Sequence, residues 1–163
     1  MRFREEEALR YLGAKGAPDA RTLALLRAAA DELDACAAPR YAALRVPVEI
    51  AGARVTLQAF TADSPALAAR LSGCREAYLF AATLGAQVDR AMARLSRTEV
   101  ARAFALQACA ASALECFSDD VCAALAAECA PKGLFLRSRF SPGYGGFSIE
   151  HQTDLLCALQ ADR

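Results

Sequence analysis

Apolar residues recur at helical spacing in several stretches of the chain. In one stretch Leu23, Leu26 and Leu33 share a face, Asp19 is placed to cap the helix, and Pro39 ends it. Further helices are predicted over Arg4–Leu12, Ser64–Ser72, Ala86–Leu95 and, after an N-cap at Ser148, Ile149–Ala161.

The longest predicted helix runs from Thr98 to Cys129, with Thr98 as its N-cap. It carries no charged residue between Ala103 and Leu114. A helix that is apolar on every side is normally buried on every side. We therefore expect this helix at the centre of the fold.

Between Ala43 and Phe60 the apolar period changes from helical spacing to two, which is typical of strands with one buried face. A turn is expected at Ala51–Ala53, so the segment predicts a β-hairpin. Pro47 lacks an N–H and indicates an edge position for the first strand. The alternating apolar residues are Leu44, Val46, Val48 and Ile50 before the turn, then Val55, Leu57 and Ala59.

Two further stretches predict strands. Ala77–Thr83 is almost continuously apolar, as in a central strand covered on both faces, and Leu134–Phe140 alternates until Pro142-Gly143 breaks the ladder. Helices and strands interleave with a hairpin, so we predict a single α+β domain over residues 1–163. Its sheet is expected to be mostly antiparallel, around a long buried central helix with several shorter helices.

Composition excludes several classes of protein. The 163 residues include 19 basic and 19 acidic side chains, without a basic cluster that would indicate a nucleic-acid partner. No run of eighteen uncharged apolar residues is present, so no membrane span is expected. The charged start, Met1–Glu7, does not fit a signal peptide, and the protein is expected in the cytoplasm.

Catalytic and metal-binding motifs are not indicated. The seven cysteines are odd in number and form no C-x-x-C, so they are interpreted as small buried hydrophobic residues with no metal and no disulfide framework. The single histidine, His151, is expected to be solvated, and no nucleophile motif accompanies it. Phosphate-loop and dinucleotide-binding glycine motifs do not occur.

The segment from Arg139 to Gly146 is the strongest candidate for a binding site. It places an arginine, glycine backbone that a ligand can approach closely, and Tyr144 within a few residues. A tight turn with a purely structural role is the alternative. On the long helix, Ser112, Glu115 and Asp119 share one face, and Glu115 either binds a ligand or forms an ion pair with Arg137 or Arg139.

Arg139-Phe-Ser-Pro-Gly-Tyr144 resembles the R-x-x-P-G-Y signature of the activation domain of vitamin B12-dependent methionine synthase, and in particular small free-standing proteins that carry this domain alone. Supporting segments are Leu9–Gly13, Ala82–Arg90 and Gly143–Gln152. The resemblance implies binding of S-adenosylmethionine, the methyl donor that restores methylcobalamin after oxidation to cob(II)alamin. It also implies a cobalamin-binding methionine synthase or related corrinoid protein as partner, with flavodoxin or a similar electron donor.

The resemblance assigns a role to each matching residue. Arg139 would pair with the carboxylate of the methyl donor, Ser141 would contact it through the backbone, and Gly143 would let backbone groups approach. Tyr144 would lie at the boundary with cobalamin, and Glu115 would receive the amino group. None of these residues would act as an acid or a base, because the site would only position the methyl donor.

The chain differs from the family at two places. Gly145-Gly146-Phe147 follows Tyr144 where the full-length enzyme has proline-alanine-cysteine-proline. The family's further C-terminal strands are expected to be missing after Arg163. These differences leave an alternative function, a non-catalytic interaction module that docks on a corrinoid protein.

Overall fold

The structure is a computed structural model that describes residues 1–14, 16–58 and 60–161. These residues form an α+β fold with a long helix and an antiparallel sheet, which confirms the predicted fold class. The helices are α1 (Glu5–Tyr11), α2 (Ala20–Cys36), α3 (Pro65–Leu71), α4 (Ala86–Thr98), α5 (Val100–Cys129) and α6 (His151–Ala158), with a short 3₁₀ turn at Ala130–Lys132, and the strands are β1 (Arg40–Ala51), β2 (Arg54–Leu57), β3 (Phe60–Asp63) and β4 (Glu76–Thr83).

The predicted helices are all present, although their ends shift by a few residues. Thr98, the predicted N-cap of the long helix, is instead the last residue of α4. The backbone N–H of Ala103 donates to the carbonyl of Glu99, 3.0 Å away, so the first turn of α5 forms directly after this break. Asp19 caps α2 as predicted, since its side chain accepts from the Thr22 N–H at 2.7 Å.

The chain divides into two compact units. The first comprises Met1–Arg40 and Ala82–Ala124, and the second comprises Tyr41–Ala81 with the residues from Leu125 onward. Domain count therefore stays a prediction, and the two units are described separately.

The first unit packs α1, α2, α4 and most of α5 around one apolar core. Leu26 and Leu33 of α2 are buried against α5, where Leu106 is fully buried. Small residues allow α5 to approach its neighbours closely, and Ala105, Cys109 and Ala113 are completely inaccessible. Small side chains therefore form much of the surface that α5 presents to this core.

Not every side of α5 is buried, which corrects the prediction. Val100 and Phe104 are 57% and 61% exposed near its start. Among the described residues, Val100–Lys132 is the one helical stretch whose length and apolar composition would suit a membrane crossing. Half of its apolar eighteen-residue window is buried within the protein, and core helices of globular proteins share these properties.

The second unit contains most of the sheet, whose strand order is β3-β2-β1-β4. The β-hairpin is confirmed: β1 pairs antiparallel with β2 from Val48↔Leu57 to Ala51↔Arg54. A third strand, β3, follows β2, with Leu57 opposite Phe60. The sequence did not predict β3 as a separate strand. Ala59, which the hairpin prediction included, lies outside the described residues.

Only the middle of the predicted buried face is buried. Val46, Val55 and Leu57 are nearly inaccessible, whereas Leu44 and Ile50 are 39% and 38% exposed. The buried residues Val46, Val55 and Leu57 share a core with residues of α3, β4 and the C-terminal part of the chain, including Leu67, Leu79 and Phe147.

The predicted edge position of β1 is wrong, because β1 lies between β2 and β4. The N–H of Val48 donates to the carbonyl of Arg75 at 3.0 Å, on the β4 side. Backbone N–H groups alternate in direction along a strand, so the nitrogen of Pro47 faces the β2 side. Pairing with β2 begins only at Val48, and the missing N–H of Pro47 therefore leaves no gap in the ladder.

The predicted central position of Ala77–Thr83 is also wrong, because β4 is an edge strand of the described sheet. Hydrogen bonds from Ala38 to Leu84 (2.7 Å) and from Val48 to Arg75 (3.0 Å) show that the strand runs antiparallel to β1. Only Leu79 of β4 is buried, and the residues from Ala77 to Ala82 are otherwise partly exposed.

Candidate functional site

The segment Leu134–Phe140 is not a strand, contrary to the prediction. It is irregular, and Phe135 is 90% exposed. Alternation of apolar residues supports a strand only where another strand offers hydrogen bonds, and none pairs with this segment in the described sheet. The chain instead follows α3, to which polar contacts hold it.

Arg137 fastens this segment to the end of α3. Its guanidinium donates to the carbonyl oxygens of Arg70, at 3.1 Å, and of Ser72, at 2.9 Å. The last carbonyls of a helix lack partners within the helix and carry partial negative charge, so a cation is favourable there. Arg137 thus satisfies the end of α3 and fixes the position of the segment.

Arg70 makes the reciprocal contact from α3. Its guanidinium donates to Ser138 Oγ at 2.8 Å and lies over the ring of Phe140, 5.7 Å from the ring centre. Contacts of Arg70 and Arg137 therefore fix the residues on both sides of Arg139 in the sequence.

Residues Ser141–Phe147 form a closed turn, which we call the glycine loop. The N–H of Gly143 donates to the carbonyl of Phe147 at 2.7 Å, and the N–H of Phe147 donates to the carbonyl of Tyr144 at 2.9 Å. The N–H of Tyr144 donates to the carbonyl of Ser141 at a longer 3.3 Å. Part of the backbone that was predicted to be open to a ligand is thus hydrogen-bonded within the loop.

All three glycines of the loop have positive φ: 96° at Gly143, 54° at Gly145 and 77° at Gly146. Side chains disfavour this region of backbone conformation, so the sequence Gly-Tyr-Gly-Gly is needed to form the turn. Gly145 is also tightly enclosed, since a Cβ there would lie 3.0 Å from Phe140 Cζ and 3.1 Å from the Cβ of Ala66. The three glycines therefore have a structural role, because they form the turn. This role is compatible with ligand binding at the same loop.

An aromatic cluster supports the loop from beneath. The ring of Phe147, which is 4% exposed, stacks near those of Phe140 and Phe60 at 6.2 and 6.3 Å. His151 joins the cluster with ring centres 5.2 Å from Phe60 and 5.4 Å from Phe147. The prediction that His151 is solvated is therefore wrong; its Nδ1 lies 2.9 Å from Asp154 Oδ2, and one side of its ring is covered.

Four of the five predicted site residues lie together on this loop or next to it. Tyr144 is 68% exposed at the tip, Ser141 and Gly143 are exposed, and Arg139 is half-buried where the loop begins. An exposed aromatic ring on a turn held by hydrogen bonds and packed glycines is a preorganised contact surface.

Glu115, the fifth predicted residue, is half-buried on α5 in the first unit. Its neighbours on the same face bind the N-terminal segment. Ser112 Oγ accepts from the Arg4 N–H at 2.9 Å, and Asp119 forms an ion pair with the Arg4 guanidinium at 2.5 Å. Arg137, one of the two suggested partners of Glu115, donates to carbonyls of α3. An ion pair of Glu115 with Arg137 or Arg139 stays a prediction.

The second unit has an open groove that the sequence did not predict. Its volume is about 440 Å³, and it lies between the β1–β2 turn and α3. The small residues Gly52, Ala68, Ala69 and Gly73 were the available signal, because they leave space between these elements. The residues that line it carry no charge: Ile50, Gly52, Ala53, Pro65, Ala68, Ala69, Ser72 and Gly73.

Burial shifts the pKa of the ionisable side chains of Cys109 and Tyr78. Burial raises the pKa of the Cys109 thiol to about 11, so this thiol stays protonated at neutral pH. Burial, followed by a contact with Cys129, also raises the pKa of Tyr78. Within the described residues, no group of three or more His, Cys, Asp or Glu side chains is arranged to hold a metal ion.

The chain matches no protein-family model and no curated protein sequence. The glycine loop, with Arg139 two residues before it and Tyr144 at its tip, is the structural feature from which a function can be proposed.

Proposed function

We propose that this protein binds S-adenosylmethionine through the glycine loop and supports the reductive reactivation of a B12-dependent methionine synthase or related corrinoid methyltransferase in the cytoplasm. The supporting observation is the geometry of the loop, in which exposed backbone and Tyr144 lie on one turn closed by hydrogen bonds, two residues after Arg139. The resemblance of Arg139–Tyr144 to the activation-domain signature supplies the identity of the ligand.

The loop residues fit the methyl donor chemically. A guanidinium binds a carboxylate through two parallel hydrogen bonds, which suits Arg139 to the methionine end of the ligand. The glycines leave room for close approach of the backbone at Ser141 and Gly143. The exposed ring of Tyr144 offers a flat apolar surface for the adenosyl group or for the face of a corrin.

The chemistry requires positioning alone. One electron from a flavodoxin-like donor reduces cob(II)alamin to cob(I)alamin, which takes the methyl group and leaves S-adenosylhomocysteine. The protein would hold the sulfonium methyl within reach of the cobalt presented by its partner and exclude water. No acid or base is needed for this transfer.

Calorimetric titration with S-adenosylmethionine tests the binding step. We expect Arg139→Ala to weaken binding by about 10- to 100-fold, because a charge-assisted hydrogen bond to a carboxylate is worth roughly 1.5–3 kcal/mol. Arg54→Ala is the matched control, since Arg54 lies on β2 and is exposed. Absence of binding at millimolar ligand, or equal loss in both variants, contradicts the proposal.

A second candidate, an interaction module without ligand, is favoured by the exposed apolar side chains around the loop. Phe135, Tyr144 and Ile149 are 90%, 68% and 57% exposed, as is common where a partner docks. Reactivation of a corrinoid protein, followed by the visible spectrum of cobalamin, separates the two. A stable complex whose reactivation does not depend on S-adenosylmethionine favours the interaction module.

A further inference from the structure

The edge strand β4 has the sequence of an interior strand. Between Glu76 and Thr83 it carries no charged residue and contains Tyr78, Leu79 and Phe80. Natural sheets protect edge strands with charges, prolines, short length or covering segments, because an open edge pairs with other chains. None of the first three devices occurs within Ala77–Ala82.

The opposite edge of the sheet is protected, which makes the contrast informative. Strand β3 is only four residues long. The ring of His151, at the start of α6, stacks on Phe60 of β3 with centres 5.2 Å apart. β4 is twice as long, and most of its apolar side chains are partly exposed.

We propose that the outer edge of β4 pairs with β4 of a second copy of this chain, which joins the two sheets into one. A twofold axis perpendicular to the sheet pairs the two β4 strands antiparallel. Each face of the joined sheet is continuous when the numbers of two opposite residues add up to an even number, because side chains alternate between the faces. Centred on Leu79, this register places Tyr78 opposite Phe80 of the other copy and Ala77 opposite Ala81.

The sequence of β4 is complementary to itself in this register. Aromatic pairs across strands stabilise a sheet, and like charges opposite each other destabilise it. Glu76 falls opposite Ala82, and Arg75 falls opposite Thr83, so no like charges meet. The interface supplies backbone hydrogen bonds to the edge and covers the partly exposed side chains of β4.

Sedimentation velocity from low micromolar to several hundred micromolar protein tests the pairing. The mass is expected to rise from one chain to two, since a single strand pair lies at the small end of interface sizes. Phe80→Lys and the milder Ala82→Lys should each raise the dissociation constant at least tenfold. Thr61→Lys on β3 is the matched control and should leave it unchanged; circular dichroism checks that each variant is folded.

Hydrogen exchange of the unmodified protein gives an independent reading. Amides of Glu76–Thr83 should exchange more slowly at high concentration, while those of β3 should not change. A mass of one chain at every concentration, dimerisation of both lysine variants as strong as that of the unmodified protein, or β4 exchange that does not depend on concentration would overturn the proposal. This pairing does not depend on the binding of S-adenosylmethionine.

Discussion

Gly145 is the residue at which the conformation of the glycine loop is most tightly constrained. Its φ of 54° disfavours any side chain, and an added Cβ would contact Phe140 and the Cβ of Ala66 at 3.0 and 3.1 Å. Gly146 has a φ of 77° but open space around it. The two neighbours therefore separate backbone strain from overpacking.

We expect Gly145→Ala to lower the free energy of unfolding more than Gly146→Ala does. The positive φ costs roughly 1–2 kcal/mol in both, and the close contacts add about 1–3 kcal/mol at Gly145 alone. Urea unfolding of the two variants measures the difference. Equal losses would show that the loop moves away from α3 without cost.

Ser112 is a buried polar residue with a defined purpose. Its hydroxyl accepts from the Arg4 N–H at 2.9 Å and lies 3.1 Å from both the Arg4 carbonyl and Glu7 Oε2. It therefore satisfies the start of α1 from within the uncharged stretch of α5.

Ser112→Ala should destabilise the protein by about 1–3 kcal/mol, because it removes the acceptor of the Arg4 N–H. Ser96→Ala, at an exposed serine whose Oγ donates to Ala93 within α4, should cost less than about 0.5 kcal/mol. Thermal unfolding of the pair provides the comparison. A loss at Ser112 no larger than that at Ser96 would mean that water replaces the hydroxyl.

At the scale of the elements, α3 depends on a residue far from it in sequence. Arg137 donates to the carbonyls of Arg70 and Ser72 at the end of this helix of seven residues. So short a helix has little stability of its own and needs tertiary contacts.

Arg137→Ala should therefore reduce stability by about 1–2 kcal/mol and increase amide exchange in the last turn of α3. Arg90→Ala, at an exposed arginine of α4, is the control and should change neither. Exchange measured on peptides that cover Pro65–Leu71 reports the local effect. If amide exchange in the last turn is unchanged in Arg137→Ala, water satisfies the α3 carbonyls in place of Arg137.

The elements also show where periodicity was sufficient and where it was not. Six predicted helices are present because a helix makes its backbone hydrogen bonds within its own segment. A strand needs a neighbour, and the sequence does not state which one. Leu134–Phe140 therefore has the pattern of a strand but is irregular. For the same reason β1 was predicted at an edge and lies inside the sheet, whereas β4 was predicted inside and lies at an edge.

For the whole molecule, the buried thiol of Cys109 links folding to alkaline pH. Burial raises its pKa from 9.0 to about 11, so between these values the folded protein holds a proton that the unfolded chain has lost. Stability that is present below pH 9 is therefore lost as pH rises towards 11.

The expected decline is about 2–3 kcal/mol across this range. Cys109→Ala should flatten the dependence of the free energy of unfolding on pH, whatever its effect on stability at neutral pH. Cys157→Ala, at an exposed cysteine, should leave the slope unchanged. Denaturant unfolding at several alkaline pH values measures this dependence. If the free energy of unfolding falls equally with pH in the unmodified protein and in both variants, Cys109 is not the cause.

The sequence by itself determined the helices, the hairpin, the α+β class and the order of the loop residues from Arg139 to Tyr144. These features follow from local spacing and from the special backbone properties of glycine and proline. Only the tertiary structure decided that β4 lies at an edge, that His151 packs against Phe60 and Phe147, and that Arg137 closes α3. Each of these depends on contacts between residues distant in sequence, whose partners no local pattern can specify.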